Sequence, residues 1–129
     1  MNEITRAAVI LGAVGVGLVA VRVWVAVRAR SLRNSVSTES LRPWPAVVLF
    51  TSTDCDACEP ARNIVTACCP DGAVREVVYQ GHADLFRSAG IRKVPAIVVI
   101  DGQGAAVGAY EGQVAGRRLA SALRRAGIQ

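Results

Sequence analysis

The stretch from Ala7 to Val27 constrains this chain most. It reads AAVILGAVGVGLVAVRVWVAV and contains one charged residue, Arg22. A helix of these 21 residues is about 30 Å long, which is the thickness of the hydrocarbon core of a bilayer. Arg22 lies near the end, where its side chain can extend towards the lipid headgroups, and Trp24 is an aromatic residue typical of the membrane interface. The stretch therefore predicts a transmembrane anchor.

A cleaved signal peptide and a buried core helix are the two other interpretations of this stretch. A signal peptide carries its positive charges before the apolar residues. Here only Arg6 precedes them, whereas Arg22, Arg28, Arg30 and Arg33 lie within or after them. A core helix without a polar face needs a larger partner domain than this chain offers. Because positively charged flanks stay in the cytoplasm, the arginines predict a cytoplasmic domain, with an extracytoplasmic domain as the alternative.

Composition and charge narrow the possible partners and the domain layout. The 129 residues carry a net charge of +5, with aromatic residues at 5%. No basic run is interleaved with aromatic residues, so a nucleic-acid partner is not expected. Residues 31–44 are polar, rich in Ser and interrupted by Pro, which predicts a flexible linker. The layout is therefore an anchor at 1–30, a linker at 31–44 and one domain at 45–129.

The domain alternates between short apolar runs and helical patterns. The order is βαβα followed by ββα, which predicts an α/β fold with a parallel crossover and then an antiparallel hairpin. Asp54 is the expected N-cap of the first helix of the domain. The predicted strands are Ala46–Phe50, Val74–Tyr79, Pro95–Ile100 and Ala105–Tyr110, and the predicted helices are Cys55–Cys69, His82–Ala89 and Val114–Ala126.

Cys55 and Cys58 are spaced as a Cys-x-x-Cys pair at a strand-to-helix junction. The unpaired N–H groups and the dipole of a helix N-terminus stabilise a thiolate, which is the nucleophile in disulfide exchange. The second thiol, one turn further, can attack the mixed disulfide and release the product. Cys55 is thus the candidate attacking thiol and Cys58 the candidate resolving thiol. Such chemistry needs no cofactor, since the two sulfurs hold the electrons.

Cys68, Cys69 and His82 offer alternative chemistry. Four cysteines could bind zinc or an iron–sulfur cluster, but in an unbroken helix Cys68 would lie about 20 Å from Cys55. Zinc requires its sulfur ligands at about 2.3 Å, so no metal site is expected. The favoured interpretation is that one of the adjacent cysteines is buried and the other half-exposed. His82 is interpreted as a solvated or capping residue rather than a catalytic partner of a cysteine.

Two separated motifs resemble the thioredoxin-like oxidoreductases. They are VVLFTSTDCDAC and GIRKVPAIVVIDGQGAAVGAYEG, and the resemblance covers about residues 45–127. With its apolar stretch, the chain is similar to the membrane-tethered thioredoxin-like proteins of bacteria. The resemblance implies a mixed four-stranded sheet flanked by helices, and a thiol–disulfide oxidoreductase whose partners are protein clients and an upstream reductant. It also implies that Pro95 is cis and that the Val94 backbone pairs with an incoming polypeptide.

The sequence departs from the thioredoxin pattern at three places around the cysteines. Asp54 replaces the active-site tryptophan, Asp56-Ala57 replaces the Gly-Pro between the cysteines, and Leu49 stands where thioredoxins carry a buried carboxylate. That carboxylate helps to remove a proton from the resolving thiol in the family.

The acids near the cysteines predict the direction of electron flow. Asp54, Asp56 and Glu59 disfavour a nearby thiolate, and Arg62 offsets them only in part. A less stable thiolate makes the dithiol a stronger reductant. We therefore expect a reductant, although the acids could equally face water without tuning the thiols. The competing functional hypothesis is a non-catalytic docking domain for a membrane partner, with structural cysteines.

Overall fold

The apolar stretch forms part of one long helix. The computed structural model describes residues 2–129, and the chain divides into two compact units after Ser31. Helix α1 (Glu3–Ser35) has apolar side chains exposed on all sides. It is the one helix of the described residues that is long and apolar enough to cross a membrane, a test that a signal sequence also passes.

The second unit is a mixed four-stranded sheet with helices on both faces. The strand order is β2-β1-β3-β4, with β1 parallel to β2 and the other two pairs antiparallel. This architecture confirms the expected fold class. The elements are β1 (Ala46–Thr51), α2 (Cys58–Cys68), β2 (Val74–Val78), α3 (Ala83–Ala89), β3 (Ala96–Ile100), β4 (Ala106–Glu111) and α4 (Gly116–Ala126).

The central strand β1 is buried on both of its faces. Because side chains alternate along a strand, Val47 and Leu49 point to one face, and Val48 and Phe50 point to the other. The first face packs against α2 and α4, and the second packs against α3 through residues such as Phe86. A strand that is buried on both faces exposes no side chain to water, which explains the uninterrupted apolar run.

Most element boundaries lie within one or two residues of the predicted ones. Strand β2 ends at Val78, β3 begins at Ala96, and α4 begins at Gly116. Such small shifts are typical of element termini, where hydrogen bonding is incomplete. The start of α2 differs more, because the helix begins at Cys58 rather than at Cys55.

The prediction of a flexible linker at 31–44 is wrong. Helix α1 continues to Ser35, and the residues after it, 36–45, pack along the domain as a segment that we call the strap. Leu41 in the strap is only 1% exposed and belongs to the same core cluster as Val48 and Phe86. Leu41 has polar neighbours on both sides, and the strap shows no periodic apolar pattern, so this burial could not be predicted from the sequence.

Hydrogen bonds and close packing hold the strap at several points. The Arg75 guanidinium in β2 donates to the carbonyl oxygens of Leu41 and Arg42. The indole N–H of Trp44 donates to the carbonyl oxygen of Thr38 at 3.0 Å. The Trp44 ring lies directly against Gly104, whose φ of +85° and lack of a Cβ both favour glycine.

The first residues of the strap lie at the C-terminal end of α3. The N–H of Ser37 donates to the carbonyl oxygen of Ala89 at 3.0 Å. The next residue, Gly90, has φ +78°, and a Cβ there would lie 2.7 Å from the carbonyl oxygen of Ser35. Gly90 therefore both ends α3 and leaves room for the chain that enters the domain.

Leu41→Ala is expected to destabilise the domain by about 2–5 kcal/mol, because it empties a fully buried site. The measurement is urea unfolding of the full chain in detergent, followed by Trp44 fluorescence in a Trp24→Phe background. Leu18→Ala is the matched control, since Leu18 is 62% exposed in α1. If Leu41→Ala lowered the free energy of unfolding as little as the control does, the strap would not be packed on the domain and the prediction of a flexible linker would stand.

Candidate active site

The pairing of β1 with β3 brings two chain segments together at one edge of the sheet. Phe50 lies opposite Ala96 in antiparallel register, so the end of β1 is beside the start of β3. The loop that carries Cys55 follows β1, and Pro95 immediately precedes β3. The sheet thus brings both resemblance motifs to the same edge.

Cys55 and Cys58 are joined by a disulfide bond, with their Cα atoms 5.4 Å apart. The N–H of Cys58 donates to the carbonyl oxygen of Cys55 at 3.3 Å, which closes a turn. Cys58 is only 2% exposed, whereas Cys55 is half-buried. The sulfur of Cys55 is therefore more accessible to an incoming molecule than that of Cys58.

The helix that follows the cysteines begins later than predicted. Helix α2 begins at Cys58 rather than at Cys55, and its N-cap is Ala57 rather than Asp54, with no side-chain capping bond. The turn from Cys55 to Cys58 takes the place of the predicted first helical turn. Cys58 is then the first helical residue, so the disulfide still lies at the helix N-terminus with its unpaired N–H groups. Pro60, the third helical residue, lacks an N–H that would have no partner there.

The acidic residues around the cysteines are not equivalent. Glu59 forms an ion pair with Arg62 at 2.7 Å, and Arg62 also pairs with Glu76 of β2 at 2.6 Å. The hydrogen bond and charge of Glu76, followed by those of Glu59, raise the pKa of Arg62. Asp54 and Asp56 are exposed and form no ion pair within residues 2–129.

Glu76 was missed by sequence reasoning because it lies on a different element from the cysteines. Glu76 forms a second ion pair with Arg62, so the Arg62 charge is shared between two carboxylates and neutralises Glu59 less. Two carboxylates share one guanidinium, so this group of three side chains has a net charge of −1. The charge on this side of α2 is thus more negative than Glu59 and Arg62 alone indicate.

Gln80 is a second residue that the sequence did not reveal. Its side-chain oxygen accepts a hydrogen bond from the N–H of Thr53 at 3.1 Å, and its side-chain nitrogen donates to the Ser52 hydroxyl at 3.1 Å. The N–H of the adjacent Tyr79 donates to the carbonyl oxygen of Thr51 at 2.9 Å. Gln80 therefore positions the loop that leads to Cys55.

The Val94–Pro95 peptide bond is cis, as the resemblance implies. Arg42–Pro43 and Trp44–Pro45 in the strap are also cis. Pro95 is buried, and its carbonyl oxygen accepts a hydrogen bond from the N–H of Gly112 at 2.8 Å. The backbone of Val94 has no hydrogen-bond partner within residues 2–129.

The remaining candidate residues lie apart from the disulfide. Cys68 and Cys69 are at the far end of α2, where Cys68 is half-buried and Cys69 is buried. Burial, followed by the charge of Cys68, raises the pKa of Cys69 to about 11, so this thiol is a poor nucleophile at neutral pH. His82 is exposed and is the N-cap residue of α3, with Nδ1 3.1 Å from the carbonyl oxygen of Val78. Leu49 is buried in the core.

No family model matches the sequence, and neither does any curated protein. A solved structure of a malarial protein is similar, with a TM-score of 0.51 and 14% identity, over 64% of this chain and 97% of that one. By the order and directions of its strands, the chain has a thioredoxin-like fold.

Two further solved structures show a lower similarity. One is thioredoxin 1 from Thermosipho africanus, at 11% identity and a TM-score of 0.49, over 62% of this chain and 91% of that one. The other is a thio-disulfide isomerase from Thermus thermophilus, at 15% identity and a TM-score of 0.49, over 68% and 82%. The assignment of the fold depends on the strand order, the strand directions and the helices on both faces of the sheet.

Arg62→Gln is expected to make the midpoint potential of the Cys55–Cys58 couple more negative by about 5–20 mV. The substitution removes a positive charge that lies one helical turn from Cys58 and leaves Glu59 and Glu76 without their cation. The more negative surroundings disfavour a thiolate at Cys58. The potential is read from equilibria with thiol–disulfide buffers of graded composition. Arg124→Gln, an exposed arginine of α4, is the control. An unchanged or less negative potential for Arg62→Gln would contradict this account of the charges.

Proposed function

We propose that this protein is a membrane-tethered thiol–disulfide oxidoreductase that reduces disulfide bonds in protein clients. The observation that carries the proposal is the Cys55–Cys58 disulfide at the N-terminus of α2, with Cys55 on the accessible side. The thioredoxin-like fold supports the same class of reaction.

The reaction begins with the reduced dithiol. The Cys55 thiolate attacks one sulfur of the client disulfide, and the other client sulfur leaves as a thiolate and takes up a proton. The Cys58 thiol loses its proton and attacks the Cys55 sulfur of the mixed disulfide. This step releases the second client thiol and forms the Cys55–Cys58 bond. Two electrons pass from the protein to the client, and an upstream dithiol reductant restores them.

The burial of Cys58 supports its role as the resolving thiol. At 2% exposure, it is protected from external disulfides, while its sulfur lies within bonding distance of Cys55. The mixed disulfide on Cys55 therefore meets an internal thiol before an external one. The helix N-terminus at Cys58 favours the thiolate that this attack requires.

Val94 and Pro95 are the proposed docking residues for the client backbone. The cis peptide bond is at the same edge of the sheet as Cys55, and the Val94 backbone is free to pair within the described residues. An extended client segment could add its own N–H and C=O groups there, as in other cases of strand addition. Such pairing would hold the client cysteine beside Cys55.

The acids around the disulfide support reduction as the direction of electron flow. Asp54 and Asp56 form no ion pair among residues 2–129, and Glu59 shares Arg62 with Glu76. Negative charge disfavours the thiolate and stabilises the disulfide relative to the dithiol. The couple is then a stronger electron donor.

Helix α1 is the proposed tether, with residues 1–30 as a single-pass anchor in a bacterial cell membrane and the unit that follows Ser31, strap included, as the catalytic domain. Its length and its exposed apolar surface support this assignment. The arginines that follow the apolar stretch favour a cytoplasmic domain. The cytoplasm keeps thiols reduced, so a cytoplasmic reductant would have a supply of electrons close by.

The midpoint potential of the full chain in detergent tests the direction of the reaction. We expect a reversible two-electron transition near the potential of thioredoxin, about −270 mV. The oxidation state of Cys55 and Cys58 is read by alkylation and mass spectrometry. A potential near −120 mV, typical of strong oxidants, would exclude a reductant. Cysteines that alkylate independently of each other would instead favour a docking domain with structural cysteines.

Cys58→Ser is expected to accumulate mixed disulfides with client proteins on Cys55, because the resolving thiol is missing. The adducts are isolated from membranes that contain the full-length variant, and they should disappear on treatment with dithiothreitol. Cys55→Ser is the first control, since buried Cys58 should capture few clients. Cys68→Ser keeps the pair intact and should capture none. Equal capture by the Cys55 and Cys58 variants would contradict the proposed roles.

A further inference from the structure

Tyr79 is the one large apolar residue of residues 32–129 that the structure leaves exposed, at 49%. Its ring packs edge to face on Phe86, with the ring centroids 5.3 Å apart, and Phe86 is buried. The contact holds the exposed ring in a fixed position. Tyrosine held in this way on a surface is typical of binding sites, since it offers a large contact area with few rotatable bonds to order.

A cavity of about 310 Å³ lies beside this ring. Its lining includes Tyr79, Phe86 and Ile91, together with the charged residues Arg87 and Arg92. The volume is at the lower end of the range for sites that hold a ligand group. An aromatic wall, an aliphatic side chain and two guanidinium groups form a suitable site for an anionic group on an apolar stem.

The positive charge of this cavity is largely uncompensated. None of the described residues that line it is an Asp or a Glu. Arg92 forms no ion pair within residues 2–129. Arg87 contacts Asp84 at 3.3 Å, but these side chains are 79% and 94% exposed, so water and salt weaken the pair. Both guanidinium groups can therefore bind an incoming carboxylate.

The cavity lies next to the disulfide loop. The Tyr79 backbone is bonded to that of Thr51, the last residue of β1, and the neighbouring Gln80 holds the loop before Cys55. On the other side, Arg92 is three residues before Pro95 in the segment proposed to dock the client backbone. A polypeptide whose cysteine is at Cys55 and whose backbone is at Val94 would pass the mouth of the cavity.

We infer that this cavity is a specificity subsite for an Asp or Glu side chain that flanks the reacting cysteine of a client protein. The inference rests on the proposed oxidoreductase function and adds the class of substrate. Arg92 and Arg87 bind the carboxylate, and Tyr79 packs against the adjacent part of the client. A guanidinium can pair with a carboxylate through two parallel hydrogen bonds, which fixes its orientation as well as its position.

Two groups of charged residues of opposite sign lie at this edge of the sheet and favour one orientation of the bound client segment. Asp54 and Asp56 lie on the disulfide loop, and the two arginines lie in the cavity. A client carboxylate is repelled by the first group and attracted by the second. A segment with its acid on the wrong side of the cysteine places that acid near Asp54 and Asp56, so one orientation is preferred over the other.

Thiol–disulfide exchange with matched peptides tests the subsite. The reduced full chain, in a zwitterionic detergent, reacts with disulfide-linked peptides that differ at one position near the cysteine, which holds Glu, Gln or Lys. The variable residue is placed in turn at each of three positions on either side of the cysteine. We expect the Glu peptide to react about two- to fivefold faster than the Gln peptide at positions on one side, and the Lys peptide to react more slowly.

Arg92→Glu should remove the preference for the Glu peptide or reverse it in favour of Lys, and Arg87→Glu should weaken it. Arg124→Glu is the matched control, because it makes the same change in net charge on α4, across the sheet from Phe86. The control variant should keep the wild-type preference. Circular dichroism checks that each variant is folded.

Five results would overturn the inference. Equal rates for the three peptides at every position would exclude the subsite while leaving the oxidoreductase function intact. A preference that Arg92→Glu and Arg87→Glu leave unchanged, or that Arg124→Glu abolishes equally, would assign it to other charges. An Arg92→Glu effect confined to nanodiscs with anionic phospholipid would make the cavity a lipid contact. If the reduced protein reacted with none of the peptides, the proposed function would be excluded together with the subsite.

Discussion

Strands β1 and β3 are buried on both faces, and the rest of the domain depends on this constraint. Every residue of both strands is buried, so the chain must supply covering elements on each side of the sheet. Helices α2 and α4 cover one face, and α3 and the strap cover the other. The antiparallel register of the two strands then decides what meets at the edge of the sheet. It brings the disulfide loop beside Pro95, although Cys55 and Pro95 are 40 positions apart in the sequence.

The disulfide joins a buried residue at the start of α2 to a more accessible residue on the preceding loop. Cys58 is buried at the start of α2, and its partner is on a loop that Gln80 holds from a neighbouring element. This arrangement fixes the sulfur atoms while leaving Cys55 open on one side. The charges around the pair are mostly exposed, so each contributes little alone and the sign of their sum decides the effect on the thiols. Glu76 is important because it makes the net charge of the group around Arg62 negative.

Sequence reasoning predicted the elements whose signal is local. The apolar runs of β1 and β3 and the repeated spacing of α4 were recognised because burial on both faces or on one stripe leaves a direct pattern. The start of α2 was misplaced because Asp54 resembles an N-cap, whereas the turn between the cysteines delays the helix to Cys58. The pairs Cys55–Cys58 and Val94–Pro95 were found through motifs.

The features that were missed all arise from contacts between distant segments. Arg75 holds the strap from a strand more than thirty residues away, and Leu41 is buried by partners that no neighbouring residue reveals. The cavity beside Tyr79 combines the end of β2 with α3 and the segment before Pro95. Tyr79, Arg87 and Arg92 each look like ordinary surface residues in the sequence, and their chemistry emerges only when the fold brings them together.

With α1 as the proposed tether, the packed strap limits how far the domain that carries the disulfide could move from a bilayer. Only about eight residues separate Val27 from the strap, which sets an upper limit of roughly 30 Å on their span even when fully extended. With α1 in a bilayer, the disulfide would reach only a thin layer of solution next to the lipid. A client in the same membrane would meet it at a high effective concentration, whereas a freely diffusing protein would have to enter that layer first. Short reach alone would thus select membrane-bound or membrane-associated proteins over soluble ones.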